Sequence, residues 1–267
     1  MQNIELQNIH PHIQELVIDT GNFIRNEGLN FDMGVVETKS FNQLVSYVDK
    51  TAEEKLVKGL LHILPEAGFI TEEETINRKG ERYNFVIDPL DGTTNFCHGL
   101  PVFSVSVGLL DGDELVAGYV YDVCQDWLFH GHQDGQAMLN EELMQVSKTE
   151  TMEGSLMATG FPYYDFVQMP QYIEVLKVLM KETHGLRRMG SAAIDLVYTA
   201  CGKFDGFFEY GLQPWDVAAG AFLVKLAGGK VADFKGGQDY LFGKTIIAGN
   251  PQIFEGLTKL IQEKFEG

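Results

Sequence analysis

The chain is poor in cysteine, poor in positive charge and without any long apolar run. Cys97, Cys124 and Cys201 are its three cysteines in 267 residues, and none forms a CxxC pair. That spacing argues against a disulfide framework or a structural zinc site and fits a reducing compartment. Lys and Arg total 20 against 38 Asp and Glu, a formal net charge of −18. No basic run is longer than Arg187-Arg188. Binding to nucleic acid or to an anionic membrane is disfavoured on that balance. No apolar stretch approaches transmembrane length, and the opening MQNIELQNIHPHIQEL lacks the charged-then-apolar profile of a secretion signal. The expectation is a cytoplasmic protein. Several phosphate and metal motifs are also missing. There is no GxxxxGK[ST] loop, no DxDxDG calcium loop, and no CxxxxxR loop after any cysteine.

What is present is an ordinary globular composition, 45% apolar, long enough for one large domain or two modest ones. Apolar residues at helical spacing predict helices over about Ile4 to Asn26 and Leu44 to Ile63, the second containing Asp49. Gly28 to Ser40, with Lys39, reads as a loop. Phe69 to Thr71 reads as a short strand running into Glu72-Glu73-Glu74. Leu100 to Leu139 reads as an antiparallel meander with a turn at Asp111-Gly112-Asp113. Its His130 and His132 share one strand face and suit a metal, but no third ligand is evident, so a surface strand is expected.

Beyond Ser147 strands and helices alternate, which predicts a mixed or parallel sheet. The expected division is residues 1–146, α+β with most of the acidic candidates, and residues 147–267, α/β. No linker separates them, so one rigid body with a cleft between its halves is expected.

The most informative stretch is Tyr83 to Phe96, YNFVIDPLDGTTNF. Pro89 pushes Asp88 into an extended conformation, so a strand is expected to stop there. Gly92 follows a turn-prone Asp, and Thr93 and Thr94 are expected to cap a following helix. Asp88 and Asp91 then sit at a strand's carboxyl end with amides and hydroxyls behind them. That suits a hard cation beside a phosphate, or two caps at a plain strand-turn-helix junction. Asp216, after Pro214, is equally consistent with a helix N-terminal acid favoured by the dipole.

Two further segments resolve the choice. Asp88-Pro89-Leu90-Asp91-Gly92-Thr93-Thr94-Asn95-Phe96 resembles the first signature of the inositol monophosphatase family. Trp215-Asp216-Val217-Ala218-Ala219-Gly220, with Gly228-Gly229 behind it, resembles the second. Phe69-Ile70-Thr71-Glu72-Glu73 is similar to the family's acidic segment, and Gly190-Ser191-Ala192-Ala193 to its small-residue substrate loop. Order and spacing agree from about Lys39 to the C-terminus.

The resemblance implies a layered αβαβα sandwich, shared with fructose-1,6-bisphosphatase, and a homodimer. It implies an Mg2+-dependent enzyme of the lithium-sensitive phosphatase superfamily that hydrolyses a small phosphorylated polyol. Carried over by position, Glu72, Asp88, Asp91, Asp216 and the Leu90 carbonyl are metal ligands, with Asp88 bridging ions. Asp49, Glu72 and Thr93 are catalytic, supporting attack by metal-activated water, and Glu73 lies outside the ligands. Asp91, Gly92, Thr93, Ala192, Glu209 and Asp216 are substrate contacts.

Two departures stand out. Asn42-Gln43-Leu44-Val45-Ser46 replaces the usual Asn-Asp-Leu-Val-Thr, and Gln213-Pro214 replaces the His-Cys of the animal enzymes. The second bears on substrate preference. The alternatives are a phosphatase for fructose 1,6-bisphosphate, histidinol phosphate or 3′-phosphoadenosine phosphate, or a regulatory interaction protein that keeps the fold. Thr94-Asn95-Phe96 favours the inositol type, since the adenosine-phosphate type has Lys-Glu-Phe there.

Overall fold

A computed structural model describes residues 6–29, 31, 37–40, 43–162 and 166–265. The first half runs α1 (Leu6–Gly28), β1 (Glu37–Ser40), β2 (Gln43–Val45), α2 (Tyr47–Ile63), β3 (Gly68–Thr71), β4 (Tyr83–Asp91) and α3 (Thr93–Cys97). It continues through β5 (Ser104–Asp111), β6 (Glu114–Asp122), β7 (Trp127–His132), β8 (Met138–Leu139) and β9 (Glu142–Leu143). The second half runs β10 (Leu156–Thr159), α4 (Met169–Glu182), β11 (Gly185–Arg187), α5 (Ala192–Ala200) and β12 (Gly206–Tyr210). It ends with α6 (Pro214–Leu226), β13 (Lys230–Ala232), β14 (Thr245–Gly249) and α7 (Pro251–Phe265).

The strand period of two sends alternate side chains into different cores. Phe85 and Ile87 of β4 join Ile13, Val17, Leu56 and Leu60, so α1 and α2 cover one face of the first sheet. Val86, between them, points the other way and packs with Leu196, Val217 and Leu223 of α5 and α6. Phe207 of β12 reaches the same middle core from the second sheet. Its neighbour Phe208 turns outward to Tyr172 and Leu257 of α4 and α7. The layers are therefore α, β, α, β, α, as the resemblance implies.

The first sheet has seven strands in the order β3-β4-β5-β6-β7-β8-β9, and the second has five in the order β11-β10-β12-β14-β13. In the first, β3 pairs parallel with β4 and β4 pairs antiparallel with β5. The second is mixed, with β10 parallel to β11 and β12 and with β12 antiparallel to β14. α6 is buried on nearly every side through Val217 to Val224, as a helix between two sheets must be. It lies so close to β6 that a Cβ at Gly118 would meet the Ala219 carbonyl at 2.7 Å. Among the described residues no helix is long and apolar enough to cross a membrane.

Several boundaries differ from the sequence expectation. α2 starts at Tyr47, because Leu44 and Val45 belong to β2 and Ser46 is extended and caps the helix. Lys39 lies on β1 and not in a loop. The strand carrying Asp88 does not stop there. Pro89 breaks the ladder, but β4 bulges and pairs again at Asp91 opposite Ser104. Asn42, in the segment that departs from the family pattern, lies outside the described residues.

The histidine pair is not on a surface strand. His130 and His132 are buried beneath α1, whose His10 places Nε2 3.1 Å from His130 Nδ1. His10 Nδ1 lies 2.8 Å from the Tyr119 hydroxyl, and His130 Nε2 donates to the Asn140 carbonyl at 3.0 Å. Burial, then the neighbouring rings, depresses His10 to about 4, so this ring is neutral at physiological pH.

Candidate active site

The site starts from the register of two parallel strands. Thr71 of β3 pairs with Ile87 of β4, so the next residues, Glu72 and Asp88, emerge side by side at one sheet edge. The Glu72 amide donates back to the Ile87 carbonyl at 3.3 Å. Beyond Pro89 the bulge lets the Leu90 amide donate to Asp88 Oδ1 at 2.9 Å. Gly92 then takes φ +98, and a Cβ there would lie 2.9 Å from the Val102 carbonyl, so only glycine makes this turn without strain. Gly92 also precedes α3 directly, and neither threonine caps that helix. The Thr93 hydroxyl is committed elsewhere, its single proton within reach of Asp49 Oδ1 at 2.9 Å and of the Leu90 carbonyl at 3.0 Å.

Asp49 arrives from α2. Its Oδ2 accepts from the Ser46 amide at 2.8 Å and the Ser46 hydroxyl at 2.7 Å, closing a capping box. Serine thus supplies the hydroxyl where the family pattern has threonine. Burial raises the Asp49 carboxyl, and these hydrogen bonds oppose the rise. Asp49 is buried behind Thr93 and does not line the cleft. Deeper in α2, Glu53 is fully buried and holds the acidic loop in place. It accepts from the Glu73 amide at 2.7 Å, the Thr75 amide at 2.8 Å and the Thr75 hydroxyl at 2.7 Å.

The second half of the chain completes the site. Ser191 caps α5, accepting from the Ile194 amide at 3.2 Å, and donates its own proton to Asp91 Oδ2 at 2.5 Å. The Ala193 amide donates to the same oxygen at 2.7 Å. Asp91 of the first half is thus tied to the helix start of the second. Asp216, in the first turn of α6, accepts from the Gln213 amide at 2.7 Å through Oδ2. At Asp88, Asp91 and Asp216 alike, one oxygen is fixed by the chain's own donors, which sets the carboxylate's orientation.

The site's acids and phosphate-loop residues line a single cleft of about 150 Å³. Glu72, Asp88, Leu90, Asp91, Gly92 and Thr93 come from the first half, and Ala192, Glu209 and Asp216 from the second. Burial, then the charges of Glu72, Asp91 and Asp216, raises Asp88 well above the ordinary carboxylate range. Burial raises Asp91 to about 6, opposed by Ser191, the α5 amides and Arg188. Burial and the charge of Asp91 raise Asp216 to about 7. Among the described residues no three His, Cys, Asp or Glu side chains already close around one cation position. The acids flank the cleft as mutually repelling charges, and that is the arrangement a bound cation relieves.

The whole-chain comparison decides the kinship. The model of the inositol monophosphatase family matches residues 5–266. The chain belongs to the inositol monophosphatase family. Inositol-1-monophosphatase of Mesorhizobium japonicum is 37% identical over 229 residues, covering 85% of this chain and 86% of the relative. Nus factor SuhB of Escherichia coli is 39% identical over 238 residues, covering 89% of each. Among solved structures, extragenic suppressor protein SuhB from Bartonella henselae superposes with TM-score 0.90 at 35% identity, covering 97% of this chain and 99% of that one. Inositol monophosphatase from Anabaena superposes with TM-score 0.86 at 33% identity, covering 97% of both.

In this inositol monophosphatase family member the structure brings together every sequence-predicted site residue except Asp49, which reaches the cleft only through Thr93. The sequence reading missed the tasks of Ser191 and Glu53. Ser191 carried a signal, since a serine before a helical Ala-Ala pair is a capping pattern. Glu53 carried only its helical spacing from Asp49. Arg188 lines the cleft with its guanidinium 5.7 Å from the centre of the Phe161 ring. Trp215, next to Asp216, is half-buried and also lines the cleft.

Proposed function

We propose that the protein hydrolyses a small phosphate monoester with Mg2+, most simply myo-inositol monophosphate to inositol and phosphate. The observation that carries the reading is the convergence of four acids from both halves on one cleft beside Gly92 and Thr93. Carboxylates and a carbonyl form an all-oxygen donor set, which suits a hard divalent ion. Glu72, Asp88, Asp91, Asp216 and the Leu90 carbonyl would hold it. When bound, Mg2+ supplies neutralisation of phosphate charge and a lowered pKa for the attacking water.

The chain's own groups do the rest. Gly92 and Thr93 face the phosphate. The Thr93 hydroxyl gives its proton to Asp49 and so presents a lone pair that orients the water. Glu72 borders the same water. Ala192 and Glu209 face the polyol. Asp49 is a positioning residue, because it acts through Thr93. The same reading carries a cytoplasmic homodimer. Exposed Val167, Met169, Ile173 and Met180 offer an apolar face along and beside α4 for self-association.

Phosphate release from a panel of esters tests the proposal. Wild-type protein with Mg2+ should turn over inositol 1-phosphate well ahead of fructose 1,6-bisphosphate and 3′-phosphoadenosine phosphate, and chelation should abolish all turnover. Absence of Mg2+-dependent release from every ester would contradict the enzymatic reading.

A second reading is favoured by the relatives named Nus factor SuhB. A role as a Nus factor would be a partner-binding role on the same fold. With a net charge of −18 its partner would be a protein before a nucleic acid.

Glu53 gives an independent check on the metal assignment. Glu53→Gln keeps one acceptor but turns its NH2 toward either the Glu73 amide or the Thr75 donors, which loosens the loop carrying Glu72. Supporting groups of this kind are worth roughly 10–100-fold in metal affinity. The half-saturating Mg2+ concentration for turnover should rise by that factor, and an unchanged Mg2+ dependence would remove Glu53 from the site.

A further inference from the structure

Asp195 is a buried carboxyl on the cleft wall that the chemistry above leaves without a task. It is 1% exposed, yet its Oδ1 has no hydrogen-bond partner. A buried acid is ordinarily paired or hydrogen-bonded, so an unpartnered one in a ligand cleft points to a ligand donor. Its place is well fixed. Asp195 lies one turn into α5, and the start of α5 is held by Ser191 and Ala193 to Asp91. The nearby Glu209 carboxyl is also buried and comes from β12, a different element. Each lines the cleft, on the side away from Thr93 and Gly92 in sequence and built from the second half.

We propose that Asp195 is a specificity-determining residue: with Glu209 it forms a two-carboxyl acceptor wall for neighbouring hydroxyl groups of a polyol. The proposal rests on the phosphatase reading and names its substrate class. Each buried carboxyl oxygen is an acceptor that a polyol hydroxyl can satisfy. A leaving group without hydroxyls leaves two buried acceptors unpaired, and a site built to bond a hydroxyl rejects the analogue lacking it.

Charge makes the same selection. Burial and Glu209 raise the Asp195 carboxyl, while Arg188 opposes the rise. Burial and Asp216 likewise raise Glu209, with Arg188 again opposed. Two buried acceptors beside a single guanidinium on the cleft lining offer a second phosphate few donors at this wall. A neutral polyhydroxylated group is favoured over the phosphorylated groups of a bisphosphate.

The test compares kcat/KM for inositol 1-phosphate with that for p-nitrophenyl phosphate, whose leaving group has no neighbouring hydroxyls. Asp195→Asn should lower the ratio of the two by roughly tenfold or more, mainly through KM for the polyol ester. An equal loss on both substrates, or an unchanged ratio, would overturn the proposal. A second arm needs no variant. Among singly deoxygenated inositol 1-phosphates, at least one should show a KM raised roughly tenfold in the wild type, with that penalty reduced in Asp195→Asn. If every deoxygenated ester matched the parent, the wall would have no hydroxyl to hold. Wild-type protein inactive on both esters would overturn the phosphatase reading and the proposal with it. Wild-type activity with an indifferent Asp195→Asn would overturn the proposal alone.

Discussion

Asp91→Asn should cost about 10³-fold or more in kcat/KM with Mg2+ while leaving the fold intact. The asymmetry comes from how the two oxygens are used. Asp91 Oδ2 accepts from the Ser191 hydroxyl at 2.5 Å and the Ala193 amide at 2.7 Å. The single carbonyl of asparagine can serve both donors, so the link between the halves survives. Its NH2 then occupies the other position and presents hydrogens where a cation would sit. The variant also loses a buried charge that Asp88 and Asp216 repel, so its metal-free melting temperature should stay close to wild type. Activity within tenfold of wild type would remove Asp91 from the metal site.

The second large effect is a dependence of metal-free stability on pH. The Asp216 carboxyl sits at about 7 against an ordinary 3.8, and Asp88 well above its ordinary value. A carboxyl whose folded pKa is raised keeps its proton longer in the folded state than in the unfolded chain. Stability from that proton is fully present below the unfolded pKa, shrinks as pH rises between the two values and is gone above the folded pKa. Each tenfold difference in proton affinity between the folded and unfolded states is worth about 1.4 kcal/mol, so the loss is on the order of a few kcal/mol. For a chain of this size that is roughly ten degrees in Tm, spread over the whole window from the unfolded to the folded pKa.

His10 works in the opposite sense. Its folded pKa of about 4 lies below the ordinary 6.5, so its contribution is lost as pH falls below 6.5. Above that value His10 is neutral in both states and only the carboxyls remain. Melting curves with chelator should therefore show Tm falling by the last few degrees of that loss between pH 6.5 and about pH 8. Saturating Mg2+ should restore it, with a larger rise at the upper pH. Equal Mg2+ effects at both pH values would mean that the ion does not relieve these acids.

Much of this site was legible because it is local. Asp88, Asp91 and Gly92 fall within one strand and its turn, and Glu72 follows a neighbouring strand whose register is set by the sheet. Asp216 announced itself through Pro214 and the buried helix behind it. The parts that were not legible are joined over long sequence separations. Ser191 meets Asp91 100 residues away. His10 meets His130 120 residues away, which turned an expected surface pair into a buried cluster. No local pattern encodes such contacts, because they exist only after helices and sheets have packed. The same holds for Asp195, whose one-turn spacing from Ser191 looks like any helical acid until Glu209 is placed near it. Boundaries failed for a local reason. Leu44 and Val45 fit the apolar stripe of α2 as well as they fit β2, and only the extended Ser46 separates the two.

The central claim is that acids from both halves of the chain form one divalent-cation site. Calorimetric titration of Mg2+ into metal-free wild type and Asp216→Asn tests it most directly. Asp216 stands on the second half, while Glu72, Asp88 and Asp91 stand on the first. Saturable binding by the wild type is expected, with an affinity lowered about tenfold or more in Asp216→Asn. Equal affinity in the two proteins would contradict it.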